Sequence, residues 1–244
     1  MAATTTMWRT AGAALVLAAL QAGAQAQVSA AGCGPLQNRY GPYDYRTEQV
    51  GHLPIVEEYH FTPEVEQLVH GKSSPIGGDI DYTLRAFPNH HRALLAMMRL
   101  GQKLKTPTPQ GVNWPVECYF ERAIRFASDD AIVRNLYALY LYDNKRPDEA
   151  VAQLKVAAML AKDDAFTHYN VGLIYMQHGD LDRALPEVQR AMQLGFPKTD
   201  LKDRLVAAGK WVEPPPLAAS GAAGDAASGA ASSGPATAAA SAAS

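Results

Sequence analysis

Two stretches of this chain repeat one another at a fixed offset of 34 positions. The segment from Ala131 to Tyr142 (AIVRNLYALYLY) lies over the segment from Ala165 to Met176 (AFTHYNVGLIYM). In that register Ala138 falls over Gly172, Ala150 over Ala184, Leu154 over Val188 and Ala157 over Ala191. A period of this length marks a stack of supersecondary units, none of which buries its apolar face alone. The spacing has a physical cause. Ala138 and Gly172 are small where a second helix crosses the first closely. Ala150 and Ala184 open that second helix, Ala157 and Ala191 sit where it meets the next unit, and Leu154 and Val188 fill the volume between. The breaks read DNKRPDE from Asp143 and HGDLD from His178. Gly179 supplies a helix stop, Asp180 or Asp182 a start, and Asp148 the start in the earlier unit.

The run Tyr169-Asn170-Val171-Gly172, followed by Tyr175, Gly179-Asp180, Ala184 and Ala191, resembles the tetratricopeptide repeat, whose period is also about 34 residues. The unit 131–164 matches less closely, with Lys145 in place of the inter-helix glycine and Lys162 where that family often has proline; the unit 165–198 has Pro197 one position further on. The resemblance implies a mainly α fold, a short solenoid of helical hairpins. Upstream, 89–130 reads as a degenerate hairpin. Asn89 caps a helix from His90 to about Lys103, and a second helix runs from Pro115 to Ala127. Phe120 and Ala123 lie 34 positions before Leu154 and Ala157, while about eight residues are added between the two helices. Downstream, 199–213 holds a capping helix, Lys202 to Lys210, closed by Gly209-Lys210-Trp211. Such a cap covers the apolar face that the last unit leaves open.

The ends differ in kind. Residues 1–26 carry an early Arg9, an apolar run from Ala11 to Leu20 and the ending Ala24-Gln25-Ala26, as a secretory signal requires. The run is short of the roughly 20 residues that span a bilayer. A retained anchor, or lipidation at Cys33, are the competing readings. Export to a bacterial periplasm or beyond is the expectation, without stable membrane insertion after cleavage. From Pro214 the tail 214–244 is mostly Ala, Ser, Gly and Pro, with Asp225 as its one charge and Leu217 as its one bulky apolar residue; it cannot offset the entropy of ordering and is expected to be disordered. Twenty-two basic residues balance 24 acidic ones without a basic stripe, which argues against nucleic acid as a partner. In an oxidising compartment Cys33 and Cys118 are expected to pair; two unpaired buried thiols are the alternative. A loop this long is worth about 4–5 kcal/mol in the chain-entropy model.

Residues 27–88 lack the repeat and are expected to form an irregular extension packed on it. Asn38 to Tyr45 reads as looped and Ile55 to Phe61 as a short strand. Thr62-Pro63-Glu64 starts a helix ending at His70. Ser73 to Gly78 reads as a turn-rich loop.

In the tetratricopeptide resemblance, the first helix of each unit lines a binding groove. Carried over by position, that implies Ile132, Asn135, Leu139, Tyr142 and Asp143, then Phe166, Tyr169, Leu173, Met176 and Gln177. This set suits another protein or peptide, held in side-chain pockets; the chain's own extension or tail is the competing occupant. The resulting expectation is a non-enzymatic scaffold or assembly factor of the cell envelope, with no cofactor. The alternative is a metal-binding or catalytic protein built on His90, His91 and an acidic loop at Asp79 and Asp81, whose ligand types suit zinc or copper. Adjacent histidines point to different sides of a helix, however, and no H-E-x-x-H or C-x-x-C spacing occurs. Nor is there a C-x-x-C-H haem site, a complete calcium loop or a nucleophile motif.

Overall fold

The structure is a computed structural model that describes residues 30–215; the expected signal segment and nearly all of the tail lie outside the described residues. Among the described residues all regular structure is helical. A 3-10 turn, Ala30–Cys33, is followed by α1 (His52–His60), α2 (Pro63–Glu66), α3 (Ile76–Ala86), α4 (His91–Leu104) and α5 (Val116–Phe126). The remainder comprises α6 (Ala131–Asp143), α7 (Pro147–Ala161), α8 (Ala165–Gln177), α9 (Leu181–Gln193) and α10 (Asp200–Ala207).

Helices α6 and α7 form one hairpin and α8 and α9 a second, with both α6 and α7 touching α8. Helices α4 and α5 stand to α6 in the same relation. Aspartates start three of these elements. The Asp130 carboxylate accepts from the Ile132 and Val133 amides at 3.1 and 3.2 Å. Asp164 accepts from Phe166 at 3.1 Å, and Asp180 from Arg183 at 3.1 Å. Helix α7 differs from expectation: it starts at Pro147 without a side-chain cap, leaving Asp148 in the first turn, where its charge favours the positive helix end. Gly179 turns the chain at φ +78 before α9. Inside the second hairpin Gly172 is obligatory for contact, because a Cβ there would lie 2.8 Å from Val188 Cγ2. The core runs through all the hairpins: Leu141, Leu154, Ala157, Ala184, Val188 and Leu201 are buried, and the Phe120 ring stacks on Tyr137 at 5.4 Å.

The extension departs most from its sequence reading. The expected strand at Ile55–Phe61 is the body of α1. Leu53 and Val56, three apart on one helical face, are buried with Ala86 and Phe87. The helix started by Thr62-Pro63 ends at Glu66, where the chain turns through Leu68 at φ +59. The expected loop at Ser73–Gly78 runs into α3 from Ile76, so the expected acidic loop at Asp79 and Asp81 is helical. Gly77 and Gly78 belong to that helix because the 105–115 segment lies on it: a Cβ on Gly77 would meet the Gln110 carbonyl at 2.3 Å. At the far end, α10 begins two residues before the expected Lys202, and Trp211 packs against the core.

Cys33 and Cys118 form a disulfide with a Cα–Cα separation of 5.1 Å, both residues fully buried. Cys33 therefore offers no thiol for lipid attachment. Beside it the buried Arg122 guanidinium donates to the Cys33 carbonyl at 3.0 Å and the Pro35 carbonyl at 2.6 Å, and lies 4.0 Å over the Trp114 ring. Among the described residues no helix is long and apolar enough to cross a membrane.

Candidate interaction groove and the histidine seam

On α6, Asn135, Leu139 and Tyr142 are spaced four and three apart, as one helical stripe requires. Leu139 and Tyr142 are half-buried. Asn135 is 4% exposed, yet among the described residues neither its amide nitrogen nor its oxygen has a hydrogen-bond partner. A buried amide left in that state costs about 1–3 kcal/mol. Tyr142 stacks face to face on His178 at 3.8 Å, which fixes its ring. Burial pushes the Tyr142 hydroxyl pKa up, so it stays a neutral donor. Ile132 is half-buried; Asp143 is exposed and accepts from Gln102 on α4 at 2.6 Å.

On α8 the expected residues divide. Phe166 is 54% exposed, Leu173 half-buried and Gln177 exposed. Tyr169 and Met176 are buried. Tyr169 is sealed by the segment entering α10. Its hydroxyl donates to Asp200 at 3.0 Å, its ring lies 4.3 Å from Phe196, and Lys198 Nζ sits 5.7 Å from its centroid. Of the ten residues that the positional transfer implied, Asn135, Tyr169 and Met176 are thus closed off, and the others stay half-buried or exposed.

The extension grips α4. Arg92 pairs with Glu57 at 3.1 Å and with Glu66, and Lys103 donates to the Leu68 carbonyl at 2.9 Å. Phe61, Val65 and Leu68 join the main core.

His90 and His91 do different work from each other. His90, not Asn89, caps α4: its Nδ1 accepts from the Ala93 amide at 3.1 Å. Nε2 must therefore carry the proton, and it faces Glu57 at 3.1 Å. Burial lowers the His90 pKa despite that carboxylate, and Tyr45 lies against its ring at 4.2 Å. His91 instead reaches Asp130 at 2.8 Å. Asp130 also accepts from Asn89 at 3.0 Å, and Asn89 spans on to Asp44 at 2.8 Å and the Tyr45 amide at 3.0 Å. Burial opposes ionisation of Asp130, but the His91 and Asn89 bonds outweigh it and hold its pKa below the usual range. Arg46, bonded to Asp44, holds that carboxyl well below the usual range too.

Asp79 and Asp81 are likewise committed. Fully buried Asp79 accepts from the amides of Lys72, Ser73 and Ser74 at 2.6, 3.0 and 3.2 Å, and lies 3.1 Å from His60 Nδ1. Asp81 accepts from Tyr119, from Asn113 Nδ2 at 2.8 Å and from Arg85 at 2.9 Å. Among the described residues no group of three or more His, Cys, Asp and Glu side chains is placed to hold a metal ion.

The inserted 105–115 segment makes a feature that local sequence did not suggest. A cavity of about 360 Å³ opens between it and the C-terminal ends of α4 and α6. Met98, Pro107, Val116 and Tyr140 give it apolar walls, with Gln102, Lys105 and Asn144 at its polar positions. Its wall is fixed by the Val116 amide donating to the Pro107 carbonyl at 2.7 Å and by the Asn113–Asp81 bond. Burial raises the Tyr140 pKa to about 12, so that phenol is neutral at physiological pH. The length of the insertion was readable; the gap beneath it depends on where α6 passes.

No family model, no curated protein and no solved structure matches this chain.

Proposed function

We propose that this is an exported bacterial helical-repeat protein of the tetratricopeptide kind, acting in the periplasm or outside the cell as a scaffold or assembly factor. Its inner strip holds a segment of another polypeptide. The observation that carries the reading is the accessible apolar set on the first helices of the two units: half-buried Leu139 and Tyr142 on one α6 stripe, half-buried Leu173 and exposed Phe166 on α8. Leu139, Phe166 and Leu173 add the apolar contact that gives a peptide its affinity. The 34-residue register, the signal-like leader and the buried disulfide support the family and the compartment.

The metal or catalytic alternative has weaker support, since His90, His91, Asp79 and Asp81 each have protein partners. The test is a photo-crosslinking amino acid placed in living cells at Phe166 or, as a control, at Met159, which is 69% exposed on α7. A discrete adduct at 166, absent at 159 and lost on Leu139→Glu, is the expected result. Equal labelling at both positions, or none at 166, sinks the groove.

A further inference from the structure

We propose that the cavity between α4, α6 and the 105–115 segment binds a small zwitterion with an apolar body, a free apolar amino acid or dipeptide. Its ammonium is taken by two amide oxygens and the Asp143 carboxylate, and its carboxylate by Lys105. The site is separate from the groove. Tyr140 and Asn144, the α6 residues that line the cavity, lie four apart on the side of that helix opposite Leu139 and Tyr142.

Three observations carry it. The first is the state of the lining amides. Gln102 and Asn144 each have the nitrogen committed: Gln102 Nε2 donates to Asp143 at 2.6 Å, and Asn144 Nδ2 to the Tyr140 carbonyl at 2.7 Å. A carboxylate and a carbonyl only accept, so these bonds fix which end of each amide is oxygen. Among the described residues neither amide oxygen has a hydrogen-bond partner. An ammonium, which only donates, is the group that suits such oxygens.

The second is charge. The cavity opens at the last turns of α4 and α6, where unpaired carbonyls leave partial negative charge. Asp143, tied to the lining through Gln102, adds a full negative charge. Lys105, at the left-handed end of α4, is the one ionised side chain in the lining itself, and it is positive. A guest carrying both signs answers both. A simple amine leaves Lys105 facing a like charge, and a simple acid meets Asp143 and the helix ends.

The third is shape. At about 360 Å³ the cavity is near the lower end of the range that ligand pockets occupy, roomier than one side chain needs and small for a large cofactor. Met98, Pro107, Val116 and the Tyr140 ring wall it with apolar surface. Tyr140 packs on Phe120 at 5.3 Å and the Val116 amide is tied to the Pro107 carbonyl at 2.7 Å. Walls fixed in this way spare the guest the cost of ordering them.

The test is calorimetric titration of the full-length, disulfide-intact protein with leucine, leucyl-leucine, glycine, isoamylamine and isocaproate. Leucine or leucyl-leucine should bind at one site per chain, the tighter of the two reporting the size of guest. Glycine lacks the apolar body, isoamylamine the carboxylate and isocaproate the ammonium, and each should bind about tenfold more weakly or worse. Asp143→Asn should weaken the zwitterion about tenfold, and Lys105→Gln should bring it level with isoamylamine. Both positions are exposed, and circular dichroism checks that both variants fold. The site is overturned by a lack of saturable binding of either zwitterion, by an amine or acid that binds as well, or by binding that neither variant alters. A failed crosslink at Phe166 would remove the groove and leave this site standing.

Discussion

At the scale of single residues, the histidines are set against one another. His90 is buried, and its capping bond requires an unprotonated Nδ1. Burial lowers its pKa in the fold, so the unfolded chain binds its proton first as the pH falls. Its contribution is present above the unfolded value of about 6.5 and lost below it. His168 on α8 behaves oppositely. Glu187, 2.7 Å away, raises its pKa, so its contribution is complete below about 6.5 and lost as the pH climbs through the folded value. Acid thus loosens the seam between extension and α4 while tightening α8 against α9. Asparagine at 90 keeps a cap without a titrating ring. His90→Asn should cost about 1 kcal/mol at pH 7.5 through the lost Glu57 bond. It should also flatten the fall in urea midpoint between pH 7.5 and 5. An unaltered pH slope would rule out His90 as its source.

The scale of elements is where sequence reasoning fared best and worst. Helices α6, α8 and α9 start at or within a residue or two of the expected places, because their signals are local: an aspartate cap, a 3.6-residue stripe, Gly179 at the break. Gly172 condenses this logic. Alanine there would gain about 1 kcal/mol of helix propensity, but its Cβ would lie 2.8 Å from Val188 Cγ2 and 3.4 Å from the Val188 amide nitrogen. Ala138 holds the matching place in α6, with Leu154 rather than the stiffer Val on the helix opposite. Gly172→Ala should therefore destabilise by about 1–2 kcal/mol net, and Val188→Ala in the same chain should recover part of that loss by thermal melting. If Gly172→Ala is stabilising, the contact is softer than the geometry states. The extension was illegible for the converse reason. Gly77 and Gly78 look like loop punctuation, yet they are helical because Gln110 and Gly111 lie against them. The Asn135 face was legible as a stripe. That Tyr169 and Met176 are closed off depends on α10 and on packing, which no local pattern records.

At the scale of the whole molecule, the extension and the hairpins are one cooperative body. The disulfide, the Arg122 bonds to Cys33 and Pro35, and the Asn89–Asp44–Asp130 bridge all join segments more than 40 positions apart. Replacing both cysteines, Cys33→Ala with Cys118→Ala, should cost about 2–5 kcal/mol. The loss should appear as a single unfolding transition at lower urea. Two separated transitions would mean that the extension and hairpins melt independently. Because both sulfurs are buried, mild reductant should leave the native protein oxidised until it unfolds.

The bond between Cys33 and Cys118 also divides the chain mechanically. Under tension between the ends, force bypasses the loop spanned by those 85 positions and travels from Cys33 straight into α5. The extension, α3 and α4 then act as a knot of fixed contour length. Beyond the crosslink, the rest of α5 and α6 to α10 can pay out chain. Tension between the ends therefore draws on the two C-terminal hairpins and leaves the disulfide-closed base intact.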